Sequence, residues 1–153
     1  MASLETRIKQ TELIQRRYPR AGSLRSGLEF ELRLMSRADR DTLLGFAQTL
    51  PPDDLLYLRN DITDPDVVDR LIEDIERCRV VTVLAVSGDT VLGEGTLLHN
   101  QADWTRHVGQ IRLIVSPDVR SKGLGRFLAE ETFSIADAFG LELLTAQMTT
   151  EET

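Results

Sequence analysis

The sequence predicts a mixed α/β domain in which a mostly antiparallel sheet is joined by one crossover helix. Residues 28–34 alternate strictly between apolar and polar side chains, as a half-buried strand does. Residues 80–86 form a continuous, mainly β-branched run, which is typical of a central strand. Between residues 124 and 139 apolar side chains recur at helical spacing after a glycine-containing loop. This helix is predicted to connect two strands of the same sheet.

The first 27 residues are predicted to be a helical extension and a linker. Apolar residues within 3–18 are too sparse to form the face of a core helix. The stretch 18–27 contains Pro, Gly, Ser and Arg residues in a pattern that is typical of a linker. We therefore assign residues 1–27 to the extension and residues 28–153 to the domain.

Caps and turns delimit the remaining elements. Ser36 and Asp39 can cap one helix, and Asp64 before Pro65 opens another. Gly88 lies in a turn that predicts an antiparallel hairpin. The predicted strands are 28–34, 80–86, 90–98, 107–115 and 143–149, and the predicted helices are 36–50, 65–78 and 124–139.

Composition and charge exclude several classes of function. The 153 residues carry a net charge of −7, whereas a general nucleic-acid binder needs a basic face for phosphate. No run approaches the ~20 apolar residues of a membrane helix, and the N-terminus lacks the pattern of a secretory signal. The lone Cys78 cannot form an internal disulfide, so we predict a reducing, cytoplasmic setting.

The segment 115–126 carries the strongest functional signal. It runs from an apolar strand through a basic loop into a helix whose first turn holds Gly123 and Gly125. Glycine has no Cβ, so its backbone N–H can approach a ligand closely. The first N–H groups of a helix lack internal partners and lie at the positive end of its dipole. We predict a pyrophosphate site here, to which Arg120, Lys122 and Arg126 add full charges.

Two nucleotide-binding motifs do not fit. A mononucleotide P-loop needs a lysine after its second glycine, but the pair Gly88 and Gly93 is followed by Glu94. The dinucleotide fingerprint needs a third glycine, which Gly123 and Gly125 lack. Neither nucleotide fold is supported.

The segment is similar instead to the hallmark of the GNAT N-acetyltransferase superfamily, [Q/R]-x-x-G-x-[G/A] after a strand that ends in V-x-P. Here it stands as Val115-Ser-Pro117 and Arg120-Ser-Lys-Gly123-Leu-Gly125, and the resemblance covers roughly residues 29–149. It implies a GNAT acyl-CoA N-acyltransferase fold, a mixed and mostly antiparallel sheet that is splayed between the strands 107–115 and 143–149. Acetyl-CoA, as co-substrate, would lie in the opening.

The resemblance also implies which residues bind the coenzyme. Backbone amides of the loop would hold the pyrophosphate, and the preceding strand would pair with the pantetheine arm. A backbone N–H there would polarise the thioester carbonyl. The predicted cofactor-binding residues are Leu113, Ile114, Val115, Arg120, Ser121, Lys122, Gly123, Leu124, Gly125 and Arg126. We assign no metal site.

The implied reaction is attack by a substrate amine on the thioester, which requires a base within reach of the amine. Residues 108–112 contain no carboxylate of the kind that many family members carry there, and no tyrosine follows the loop to protonate the thiolate. We name His107 and Glu94 as candidate catalytic residues, with Glu94 expected on a solvent-facing side of its strand. His99 and Asp103 are further candidates.

Two alternatives stay open. Because those groups are missing, the chain could be a non-catalytic acyl-CoA-binding or regulatory module instead of an enzyme. The sequence stops at Thr153, where the resemblance implies a further helix and two strands. We therefore expect either a longer gene product or a homodimer that covers the last strand. The expected acceptor is a small-molecule or protein amine, with no nucleic-acid or membrane partner.

Overall fold

The computed structural model describes residues 4–52, 61–99, 108–120, 122–141 and 143–148. Short 3-10 turns at Arg37–Asp39 and Pro117–Val119 precede two of the helices. The helices and strands in chain order are α1 (Leu4–Gln15), β1 (Arg20–Ser23), β2 (Glu29–Leu34), α2 (Arg40–Gln48), α3 (Pro65–Glu76), β3 (Val80–Ser87), β4 (Thr90–His99), β5 (Val108–Val115), α4 (Leu124–Ala138) and β6 (Leu143–Met148).

The strands form one six-stranded sheet in the order β1-β2-β3-β4-β5-β6. The first five strands pair antiparallel with their neighbours. β6 instead pairs parallel with β5, and α4 crosses over between them. The mixed, mostly antiparallel sheet with one crossover helix is therefore confirmed.

Helices cover both faces of the sheet. α1 and α4 pack on one face, where Ile14 and Leu128 are buried. α2 and α3 pack on the other face, where Phe46 and Ile72 are buried. The apolar run in β3 supplies both cores because successive side chains of a strand point to opposite faces. Each fully buried side chain of this size contributes about 1.5–3 kcal/mol.

The helix boundaries follow the predicted caps. The Asp64 carboxylate accepts a hydrogen bond from the Asp66 amide at 2.9 Å, and Pro65 begins α3. The Ser36 amide donates to Asp39 Oδ2 at 3.0 Å. Gly140 follows α4 with a φ of 75°, which only glycine adopts without strain. Within the described ranges, no helix combines the length and the apolar character needed to cross a membrane.

The prediction of a linker over residues 18–27 is wrong in one respect. Arg20–Ser23 forms an edge strand that pairs antiparallel with β2. The Tyr18 hydroxyl donates to Glu131 Oε1, and Arg20 forms an ion pair with the same carboxylate. Ile14 is buried in the core beneath α4. The first strand and helix therefore pack as part of the folded unit.

Two glycines in β4 bring α4 close to the sheet. A Cβ at Gly95 would lie 2.6 Å from Thr132 Cγ2, inside van der Waals contact. A Cβ at Gly93 would lie 3.0 Å from both the Ile114 carbonyl oxygen and Leu128 Cδ1. Gly93 and Gly95 thus allow the close packing of α4 on β4, a role that glycines inside strands often have.

Candidate functional site

The first turn of α4, called here the mouth of the helix, presents backbone amides that have no acceptor within the helix. Gly123 is the N-cap, with φ 94° and ψ 3°, and no side chain of the described residues caps the helix. The first bond along the helix joins the Phe127 amide to the Gly123 carbonyl at 3.1 Å. The amides of Leu124, Gly125 and Arg126 precede this bond, so they have no acceptor inside the helix. These donors, at the positive end of a 15-residue helix, suit an anion.

Approach to this mouth is open at Gly123. Apart from its neighbours in the chain, a Cβ built on Gly123 would meet no atom of the described residues within 4 Å. Glycine is therefore needed there for its left-handed backbone and not for crowding by the protein. The side of the loop that faces away from the protein can accept a ligand directly against the main chain.

The three cationic side chains that were predicted to face the anion make different contacts. Arg120 donates from Nε and Nη2 to the Val115 carbonyl, at 3.2 and 3.0 Å, so it ties the loop to the end of β5. Arg126 is exposed and pairs with Glu130 one helical turn away. Lys122 is exposed. Ser121 lies outside the described residues, and a direct role for any of these side chains in anion binding stays a prediction.

Ser26 is a contact that the sequence did not suggest. Its hydroxyl, in the turn between β1 and β2, donates to the Lys122 carbonyl at 3.2 Å. The turn lies at the same edge of the sheet as the loop, because β1 and β5 run in the same direction. The N-terminal hairpin therefore supports the loop that carries the amides.

Near the end of β5, the backbone amide of Val115 points away from β4. The Ser116 amide donates to the Leu92 carbonyl of β4 at 2.8 Å. Amides alternate along a strand, so the Val115 amide faces the opposite side. The parallel pairing with β6 runs from Val108↔Leu143 to Leu113↔Met148, and Val115 extends beyond its last pair. The predicted splay concerns this end, where residues 149–153 lie outside the described range.

Glu94 is fully buried, so the expectation that it faces solvent is wrong. Its carboxylate oxygen Oε1 accepts hydrogen bonds from Arg112 Nε at 3.2 Å and Nη2 at 3.0 Å. Its other oxygen, Oε2, is buried and has no hydrogen-bond partner among the described residues. In the register of β4 and β5, Glu94 stands directly opposite Ile114. A buried ionic pair thus joins β4 to β5 close to the C-terminal end of β5.

Two threonines and a cavity adjoin this pair. The hydroxyls of Thr82 and Thr96 lie 3.0 Å apart, and Thr96 is 3.5 Å from Glu94 Oε1. A cavity of about 200 Å³ opens above Thr96 and Arg112 on the face that α3 covers. Arg112 was not singled out from the sequence, although a charged residue in the middle of an apolar strand is itself a signal.

Comparison with known proteins identifies the family. The model of the acetyltransferase (GNAT) family matches residues 53–153. This chain belongs to the GNAT acetyltransferase family. A search of curated proteins finds no match. The fold agrees with the family, and the prediction of a GNAT fold is confirmed.

Solved GNAT structures share the fold at low sequence identity. The GNAT domain of S. lividans PAT superimposes with a TM-score of 0.71 and 15% identity, over 84% of this chain and 77% of that chain. A ribosomal-protein-alanine N-acetyltransferase from Brucella melitensis gives 0.62 and 22%, over 75% and 72%. An aminoglycoside acetyltransferase from an uncultured soil metagenomic sample, in complex with sisomicin, gives 0.58 and 14%, over 77% and 76%. At these identities the likeness concerns the fold alone.

The site fits the acyl-CoA that the GNAT family uses. The amides of Leu124, Gly125 and Arg126, which have no acceptor within the helix, match a pyrophosphate, and the open side of Gly123 lets it approach. The outward-facing amide of Val115 can hydrogen-bond to the pantetheine or thioester portion.

The other residues of this GNAT chain that were considered as catalytic groups are His107, Asp103, His99 and Tyr18. His107 and Asp103 lie outside the described residues. His99 is buried and stacks on Phe139 at 4.7 Å between ring centroids. It therefore faces α4, on the side of the sheet opposite Glu94. Burial and the hydrogen bond to Glu131 raise the pKa of the Tyr18 hydroxyl, so Tyr18 is not suited to protonate a thiolate near neutral pH.

Proposed function

We propose that this GNAT protein transfers the acetyl group of acetyl-CoA to the nitrogen of an amine acceptor. The observation that carries the proposal is the pairing of buried Glu94 with Ile114, beside the strand end that leads into the amide-rich loop. A carboxylate thus lies next to the segment where the family places the thioester.

Each group has a distinct part in the transfer. The loop amides and Lys122 hold the diphosphate, which fixes the position of the thioester. The Val115 amide donates a hydrogen bond to the carbonyl oxygen as negative charge develops there. The amine nitrogen forms a bond to the carbonyl carbon, the bond from that carbon to sulfur breaks, and CoA leaves as the thiolate. A protonated acceptor loses two protons in this sequence: one goes to Glu94, and the other goes to the departing thiolate.

Glu94 takes the proton that the amine must lose. Alkyl amines are mostly protonated at neutral pH, so a base is required directly or through one water. Arg112 engages only Oε1 of the carboxylate, which leaves Oε2 as the acceptor. A buried acceptor without a partner costs about 1–3 kcal/mol, so an N–H or O–H donor at Oε2 is favoured. His107 stays a prediction as a second base.

Location follows the same reasoning. The lone Cys78 supports a reducing compartment, and we propose that the protein acts in the cytoplasm.

Release of free thiol from acetyl-CoA, measured against a panel of amines, tests the proposal. We expect Glu94→Gln to lower kcat by about 10²- to 10⁴-fold, the range typical of a lost general base. Isothermal calorimetry should give an unchanged Kd for acetyl-CoA, and far-UV circular dichroism should show a folded protein. Thr82→Val, which removes a hydroxyl of the same cluster without touching the carboxylate, should retain most of the activity.

Two results would contradict the proposal. If the wild-type protein binds acetyl-CoA but turns over no amine, the alternative of a binding or regulatory module is favoured. If Glu94→Gln folds and retains wild-type kcat, the base is another group, and a His107→Ala variant then tests the second candidate.

A further inference from the structure

The cavity above Arg112 has an apolar wall. It lies between α3 and the middle of the sheet, on the face away from α4. Its apolar lining consists of Ile62, Val67, Leu71, Val80 and Leu98. At about 200 Å³, it can hold the body of a small apolar side chain.

The floor of the cavity contains a guanidinium with one unused nitrogen. The Arg112 side chain is only 6% exposed, and its Nε and Nη2 both donate to Glu94 Oε1. Its Nη1 makes no hydrogen bond within the described ranges, although Arg112 lines the cavity. A buried guanidinium N–H favours an anionic oxygen as its acceptor.

The rim of the cavity adds a further positive charge. Arg70 lines the cavity, and its Nε contacts only the Asp66 carbonyl, at 3.5 Å. Arg70 forms no ion pair in the part of the chain that the structure describes. Asp74 also lines the rim, but Arg79 lies 3.8 Å from its carboxylate. Among the described lining residues, the unbalanced charge at the rim is therefore positive, which favours a ligand that carries an anionic group.

We propose that the acceptor is an apolar α-amino acid, an inference that rests on the proposed function. Arg112 and Glu94 are adjacent charges of opposite sign, joined at 3.0 Å. The carboxylate and amine of an α-amino acid are also adjacent and opposite, because one carbon carries both. The carboxylate binds Arg112 Nη1, the apolar side chain fills the cavity, and the amine lies on the side of the guanidinium toward the buried Glu94, which does not itself line the cavity. A peptide N-terminus has an amide in place of that carboxylate, so it lacks the group that Arg112 recognises.

A matched pair of acceptors tests this assignment. L-leucine and L-leucinamide differ only in the carboxylate, so we compare their kcat/KM, corrected for the fraction of unprotonated amine, in the full chain with acetyl-CoA. We expect leucine to be favoured by at least about 10-fold, which a lost charge-assisted hydrogen bond would produce. Arg112→Gln should remove this preference.

A second pair of variants serves if Arg112→Gln fails to fold. Arg70→Gln removes the rim cation and should lower kcat/KM for leucine several-fold while leaving leucinamide unchanged. Arg77→Gln removes an exposed arginine at the end of α3, outside the cavity lining, and should change neither substrate.

The outcomes separate this inference from the proposed function. If leucinamide is acetylated as well as or better than leucine, carboxylate recognition is overturned while acetyl transfer stands. If neither is acetylated but calorimetry shows that leucine binds and leucinamide does not, the site assignment stands and the acetyl transfer fails. If neither amine binds or reacts, the inference is overturned.

Discussion

Replacing Gly123 by alanine should separate the affinity for CoA from the stability of the fold. Gly123 precedes α4 and Gly140 follows it, with φ values of 94° and 75°. At both positions a Cβ would meet no other atom within 4 Å in the part of the chain that the structure describes. Alanine in the left-handed region costs about 1–2 kcal/mol, so both variants should lose a similar free energy of unfolding.

Only the Gly123 variant should lose affinity for CoA. Its methyl group lies on the open side of the loop, where it keeps the diphosphate from the amides of Leu124 and Gly125. Losing one charge-assisted hydrogen bond of about 1.5–3 kcal/mol raises Kd about 10- to 100-fold. Urea titration measures the stability, and isothermal calorimetry measures the Kd for CoA. If both alanine variants bind CoA like the wild type while folded, the diphosphate does not bind at the mouth of α4.

Three further results follow from the packing and the charges. Gly95→Ala places a Cβ 2.6 Å from Thr132 and should destabilise the fold by about 1–3 kcal/mol in urea titration. The control is Gly45→Ala, on the exposed side of α2, which should stabilise the fold by about 0.5–1 kcal/mol. Equal effects would contradict the close approach of α4. Lys122→Ala should weaken CoA binding by about 1–2 kcal/mol, with a smaller loss at high salt; a salt-independent loss would argue against a charge contact. The hydrogen bond from Arg40 lowers the pKa of Asp69. The contribution of this ion pair to stability is therefore fully present above the pKa that Asp69 has in the unfolded chain. It is lost as the pH falls through the lower pKa of Asp69 in the folded protein. Arg40→Gln should raise the pKa of Asp69 in a carboxyl NMR titration, and an unchanged value would contradict this pairing.

Features set by local chemistry were predictable from the sequence. Gly88 has a φ of 60° in the turn between β3 and β4, as its place between two apolar runs predicts. Gly123 takes a left-handed conformation at the start of α4, and the amide-rich loop was predicted from that glycine. Such positions are readable because the required backbone conformation narrows the choice of residue.

Features that depend on distant partners were not predictable. Glu94 alternates with glycines in its strand, and its burial depends on Arg112, 18 residues later. β1 is only four residues long, and its pairing with β2 gives no clear periodic pattern. The Ser26 contact with Lys122 spans 96 residues. A single sequence contains no direct record of such contacts, so the buried pair of Glu94 and Arg112 was found only in three dimensions.

The contacts of Tyr18 and Arg20 with Glu131 have a consequence for synthesis on the ribosome. These side chains lie 113 and 111 residues before their partner. At a translation rate of about 5–20 residues per second, the helix that α1 packs against is made on the order of 5–20 s after α1. During that interval Ile14 has no core to enter, so early release of the nascent chain should promote aggregation. α1 is thus the first element to be synthesised, but it is among the last to pack against the rest of the fold.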